Sequence, residues 1–431
     1  MFGKFFSDTN ARVDRRTFMR VSGSLFAGLM GLGRLAPAVF GTSSSQSQRV
    51  NLPVIVLFNS GGPSQKETFN PDPPGTPVEL RGSLGTVATS VTGVHFSENW
   101  PQLAVRAHRF SLLRAIHSGS SDHFASARNL LRPNNTSTFG IRWGERAADG
   151  GVPYMFIETP SQYQPMDALE TSRSLHIKWR RSSEPEGTFN SDWERDLAAP
   201  GDFAAPEFRS DPRLQERVNL LRGLEQHATP IESEAAQRRD RCYELALSLM
   251  LGGGTFFEAF TPPAGERTQF ERDLVRYGTR SKVGRGLLLA RRLAERGAGV
   301  SVVYNELGMG WDMHSQLAER IRPLATETDV AASALLDDIT AGRFNGVFVM
   351  IGEFGRTPRV NGSAGRDHWA EGFPGIFAGG RFRQGTVHGA TSALGVIRSG
   401  RVPTQDVVST IIAAAGGELM PTVPRVREIL S

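Results

Sequence analysis

The chain has a single cysteine, Cys242, so no intramolecular disulfide can staple the fold. That thiol lies in the apolar stretch Cys242 to Leu251 and reads as a small buried hydrophobe. A run long enough to span a membrane is also missing. The apolar segment Val21 to Gly33 is interrupted by Gly23, Gly28 and Gly31, and falls short of the roughly 20 residues a spanning helix needs. Nor is there a basic stripe. The formal charge is +5, but Lys4, Arg12, Arg15, Arg16, Arg20 and Arg34 against Asp8 and Asp14 account for +4 of it, leaving about +1 after Ala38. A nucleic-acid binder neutralises several phosphates with clustered bases, and short pairs such as Arg180-Arg181 and Arg238-Arg239 are instead solvated faces. No internal repeat or heptad run is evident.

What is present begins with an export signal. Arg15-Arg16-Thr17-Phe18-Met19-Arg20 pairs two arginines with a hydrophobic residue two positions on and a further base. The weakly apolar run follows, then Ala36-Pro37-Ala38, a small-residue cleavage site. Residues 1–38 therefore read as a twin-arginine signal peptide, with the twin-arginine translocase as partner during export and a periplasmic or otherwise extracytoplasmic destination. A chain without disulfides suits that route, which carries proteins already folded and able to load a metal beforehand.

Residues 39–52 form a polar linker, and a main domain is expected over residues 53–420, followed by a tail over 421–431. Pro53 to Phe58 is a continuous apolar run ending in turn-forming residues, as in a buried parallel strand. Further strands are predicted at Phe110 to Ile116, Pro153 to Ile157, Val300 to Tyr304, Gly346 to Ile351 and Gly375 to Ala378. Helices are predicted at Glu98 to His108, from Ser121-Asp122 onward, over Pro212 to Leu251 and Arg267 to Arg296, at Pro323 to Ala341 and at Thr404 to Ala415. This alternation gives an α/β fold whose mostly parallel sheet is covered by helices on both faces. Residues 159 to about 280 read as an inserted cap, irregular to residue 211 and helical thereafter.

In open α/β sheets ligands gather where strands end. The polar residues expected there are Glu67 after the first strand, then His117, Ser120, Ser121 and His123. Asp312 and His314 follow a later strand, and Glu353, Arg356 and His368 lie beyond the next. Carboxylates and imidazoles recurring at several strand ends suit one or two divalent cations.

Five stretches carry a more specific signature: Phe58 to Pro71, Trp311 to His314, Ile351 to Pro358 (Ile-Gly-Glu-Phe-Gly-Arg-Thr-Pro), Gly365 to Trp369 (Gly-Arg-Asp-His-Trp) and Phe377 to Gly380. Together they resemble a twin-arginine-exported family of unknown function, grouped with the alkaline phosphatase-like superfamily of sulfatases and phosphatases, from about Pro53 to Gly417. The resemblance implies hydrolysis of an anionic phosphate or sulfate ester. It makes Ser121, or else Ser120, the nucleophile, and Asp312, His314, His368, Glu353 and Glu67 the ligands of one or two ions of zinc, manganese, magnesium or calcium. It leaves His117, His123 and Arg356 to bind substrate. Relatives commonly place histidine and aspartates where this chain has Gln65, Glu67 and Asn70, and a histidine where it has Phe354. A non-catalytic binding or accessory protein on the same scaffold, holding for example an anionic glycan, is the alternative.

Overall fold

The computed structural model describes residues 52–72, 75–131, 154–158, 174–178, 216, 220, 258–260, 262–278, 281–305, 310–417 and 424–431. The chain divides into two units, Met1–Ser45 with Glu207–Asp240, and Gln46–Pro206 with Arg241–Ser431. Of the first, only the helical residues Glu216 and Leu220 are described. The leader, nearly all of the linker, Cys242, the helix expected over 212–251 apart from Glu216 and Leu220, and most of the expected cap lie outside the described residues.

The second unit is built on a nine-stranded sheet. Its principal strands are β1 (Val54–Asn59), β2 (Ser111–His117), β3 (Tyr154–Glu158), β4 (Ser174–Lys178), β5 (Val300–Asn305), β6 (Val347–Ile351), β7 (Phe373–Gly379) and β8 (Val387–His388). Their spatial order is β8-β2-β7-β6-β1-β5-β3-β4, and Val402–Pro403 also pairs with β2. β1 lies parallel between β5 and β6, whereas β7 runs antiparallel to both β2 and β6. The carboxyl ends of β1, β2, β5 and β6 therefore share one edge with the start of β7.

All six residues of β1 are buried. Ile55 and Leu57 enter one hydrophobic cluster, and Val54, Val56 and Phe58 the other. That is the period-two alternation of a strand packed on both faces. The first cluster is covered by α2 (Arg267–Tyr277), α3 (Lys282–Glu295) and α4 (Leu317–Thr340), the second by α1 (His123–Leu131) and α5 (Thr404–Ala414). Ser281 caps α3, its hydroxyl accepting the Gly284 N–H at 3.1 Å. Among the described residues no helix is long and apolar enough to cross a membrane.

Four expectations need correcting. The helix expected over Glu98 to His108 is only a turn at Pro101–Ala104 and a 3-10 turn at Ala107–Arg109. The Asp329 carboxylate takes the Gln102 and Leu103 N–H groups at 2.8 Å each, and Phe110 is already extended toward β2. α4 starts at Leu317 and carries Pro323 inside it, so the proline does not begin the helix. The segment read as irregular contains β4, paired in register with β3. Finally, Phe270, Leu274 and Tyr277 of α2 belong to the core, as do the buried Ala259 and Phe260, so the core resumes before residue 280.

Candidate metal centre

Four loops converge at the carboxyl edge of the sheet. His123 opens α1 beyond β2, Asp312 and His314 follow β5, Glu353 follows β6, and His368 precedes β7. Asp122 fixes the start of α1, its Oδ1 accepting the Ala125 N–H at 2.8 Å. His368 pairs with Arg356 in a two-residue antiparallel ladder. Gly365 allows this strand to approach the other loop, because a Cβ there would lie 2.0 Å from the carbonyl carbon of His314.

Each imidazole is tethered through Nδ1. His123 Nδ1–H donates to Glu353 Oε1 at 2.7 Å, His314 Nδ1–H to Asp367 Oδ1 at 2.8 Å, and His368 Nδ1–H to the Ser121 carbonyl at 2.8 Å. A ring whose Nδ1 donates presents the lone pair of Nε2, the arrangement that second-shell carboxylates and carbonyls impose on metal-binding histidines. All three Nε2 atoms face the Asp312 carboxylate. His314 Nε2 lies 3.0 Å and His368 Nε2 3.3 Å from Oδ1, and His123 Nε2 lies 3.5 Å from Oδ2. The His314 and His368 Nε2 atoms are 3.0 Å apart.

These donors fit a cation. Ligand bonds of 2.0–2.1 Å in a tetrahedron put neighbouring donor atoms about 3.3 Å apart, close to the separations seen here. His123 Nε2 is buried without a hydrogen-bond partner, a condition that costs free energy unless something fills the space in front of it. His123, Asp312 and His368 bring ligand atoms within 4.8 Å of one another, and His314 joins through His368 and Asp312. Phe354, fully buried, forms the apolar floor, its ring 4.8 Å from that of His123 and 4.7 Å from that of His368.

A family profile described as "Protein of unknown function (DUF1501)" matches residues 52–427. The chain belongs to the DUF1501 family. No curated protein matches it in sequence. Solved structures to which the fold is similar include "Structure of BT1596, a 2-O GAG sulfatase", with 12% identity over 88% of this chain and 73% of that one and a TM-score of 0.34. A TAB5 alkaline phosphatase mutant with magnesium bound shares 13% identity over 86% of this chain and 100% of its own, at a TM-score of 0.35. The phosphonate monoester hydrolase from Silicibacter pomeroyi shares 14% identity over 88% and 76%, at 0.33.

Charge in this DUF1501 centre is strongly coupled. Burial lowers the His123 pKa, but the neighbouring Asp312 and Glu353 carboxylates outweigh it and raise the value to about 9. Without an ion, the His123 imidazolium is thus a positive charge of the centre at neutral pH. Burial pushes the Asp312 pKa up, yet His123 and Arg356 together hold it well below the usual carboxylate range. His368 is lowered by burial and by the neighbouring Arg356 and His123 charges. The hydrogen bond from His314 lowers Asp367.

The other residues singled out from sequence fall elsewhere. Glu67, expected among the ligands, has both carboxylate oxygens engaged by Arg366, and also accepts from Ser64 and the Ser83 N–H. It stands outside the ligand group because its charge is already neutralised. Arg356, expected to bind substrate, is fully buried and donates to the carbonyls of Gly61, Gly62 and Arg366 and to Asp312. No surface of it is left for a substrate, so it positions Asp312 instead. Glu353 sits one step behind the donors, holding His123 and the Gly61 N–H at 2.7 Å each. His123, expected to touch substrate, has its Nε2 turned into the donor group. His117 is half-buried with Nδ1 3.7 Å from Glu371 and is not part of this cluster. The Ser120 hydroxyl accepts the Asp122 N–H at 3.1 Å, while Ser121 is exposed beside the centre, its carbonyl bound to His368. Asp367, which the sequence places with His368 beyond the same strand but to which it gives no role, holds the His314 ring.

Proposed function

We propose that this chain is an exported, metal-dependent hydrolase of phosphate or sulfate esters. The observation that carries the reading is the convergence of three tethered histidines, each with Nε2 toward Asp312, at the sheet edge where α/β enzymes place their ligands. Asp312, His123, His314 and His368 would hold the ion. A donor set rich in imidazole favours zinc or a neighbouring first-row ion over magnesium or calcium. When bound, such an ion supplies Lewis acidity opposite the oxygens of an anionic ester, where negative charge accumulates in the transition state.

The protein's own groups do the rest. Glu353, Asp367 and the Ser121 carbonyl orient the rings so that each Nε2 faces the centre, where a bound ion would take the place of the second His123 proton. Phe354 keeps water from beneath the rings. Ser121 supplies the candidate nucleophilic hydroxyl at the start of α1, where backbone N–H groups favour an anion. Ser120 is second choice, since its hydroxyl is already engaged by Asp122. The Arg15-Arg16 leader supports periplasmic delivery by the twin-arginine translocase, and an Arg15→Lys/Arg16→Lys precursor retained in the cytoplasm would agree with it.

Aryl phosphate and aryl sulfate assays of chelator-stripped protein, with zinc, manganese, magnesium or calcium restored, test the activity. Turnover should appear on metal addition and vanish in Ser121→Ala with an unchanged melting temperature. Turnover surviving in Ser120→Ala/Ser121→Ala would overturn the serine role. Silence of the wild type with every ion would overturn the hydrolase reading in favour of a metal-bearing binding protein.

A further inference from the structure

The Arg356 guanidinium fills a cage of oxygen acceptors beside the centre. Three backbone carbonyls, of Gly61, Gly62 and Arg366, and the Oδ1 atom of Asp312 all accept from it, and the side chain has no exposure. Carbonyl and carboxylate oxygens are also the donor type that calcium and magnesium take. Here the occupant is a guanidinium, which is charged at every accessible pH.

The cage is held in place from several directions. Gln65 brackets the Arg356 backbone, accepting its N–H at 2.8 Å and donating to its carbonyl at 2.6 Å. Glu353 holds the Gly61 N–H at 2.7 Å. Gly62 adopts φ +69°, and a Cβ there would meet the Phe354 ring at 2.7 Å, so this loop is seated against the floor of the centre.

Charge accounting points the same way. With an ion bound and His123 therefore neutral, Asp312, Glu353 and Asp367 bring three negative charges to the centre and Arg356 brings one positive, a balance of −2 that one divalent ion cancels. Glu67, the remaining buried carboxylate nearby in sequence, forms its own neutral pair with Arg366, both side chains having no exposure. Among the described residues a second ion would find the Gly61, Gly62 and Arg366 carbonyls already taken by Arg356, with Glu353 Oε2 the buried oxygen left unpartnered, and no residual charge to cancel.

We infer that Arg356 is a built-in second cation and that the centre takes one metal ion, not two. This rests on the metal-centre reading proposed above, and it predicts what happens when the guanidinium is removed. Arg356→Ala leaves an empty oxygen cage with one uncompensated negative charge, whereas Arg356→Lys keeps the charge in place.

Metal titration of chelator-stripped full-length protein with zinc and then magnesium, with bound ions counted by native mass spectrometry, is the test. Wild type and Arg356→Lys should bind one ion per chain. Arg356→Ala should take up a second, weaker ion, and its melting temperature should keep rising with metal beyond the first equivalent. Two ions in wild type, or a folded Arg356→Ala that stops at one, would overturn the inference. If Arg356→Ala folds only in excess divalent ion, that rescue supports it. If it folds under no condition, the wild-type count decides, one ion supporting and two overturning. A wild type that binds no ion, with His368→Ala indistinguishable from it, would instead defeat the metal-centre reading itself.

Discussion

The segment Ser64–Asn70 and the segments around His123, Asp312 and His368 border the same sheet edge and carry similar polar residues, with opposite use. In the first, every amide and charged side chain finds a partner within the protein. Gln65 is paired with the Arg356 backbone, Lys66 with Asp72, Glu67 with Arg366 and Asn70 with Thr391. In the second, the outer nitrogen of each histidine is tethered while the inner one faces a carboxylate across 3.0 to 3.5 Å. Residue type alone does not separate a ligand from a structural carboxylate; the remaining hydrogen-bonding capacity does.

The contrast can be broken hardest at Glu67. Glu67→Ala leaves Arg366 buried without its carboxylate, a change that costs about 3–5 kcal/mol. The account expects a much lower denaturation midpoint with metal content per folded chain unchanged, whereas loss of the ion would return Glu67 to the ligands. Glu353→Gln acts on the other side. It keeps an acceptor for His123 but removes the charge behind it, and metal affinity should fall roughly 10- to 100-fold, together with some loss of apo-protein stability because the His123 imidazolium loses its charged partner. Equal affinities by competition with a chelator would show that Glu353 is mere packing. The smallest effect belongs to Asp122→Ala, which removes the α1 cap. It should cost about 1 kcal/mol of stability and leave metal content intact. A loss of metal there would mean that the helix start, not the side-chain tethers, positions His123.

Much of this was legible in the sequence, for reasons that can be stated. Apolar runs such as Val54 to Phe58 are unambiguous because a strand buried on both faces needs no alternation. Asp312, His314 and His368 stood out because they follow or precede such runs at the same edge. The role of Arg356 was not legible: its carbonyl partners at Gly61 and Gly62 lie nearly 300 positions away. The same holds for Glu67 and Arg366, separated by 299 positions. His123 looked like a substrate contact because Glu353, which turns its Nε2 inward, is 230 residues distant. The helix expected over Glu98 to His108 failed for a similar reason, since the Asp329 carboxylate that closes its first turn comes from α4.

The central claim is that imidazole nitrogens hold a metal at this edge, and X-ray absorption at the edge of the bound metal tests it most directly. The account predicts a nitrogen and oxygen shell at about 2.0–2.1 Å with the outer-shell scattering of two or three imidazoles, lost in His123→Ala/His368→Ala. An oxygen-only shell without imidazole scattering, or a spectrum that the double substitution leaves unchanged, would contradict it.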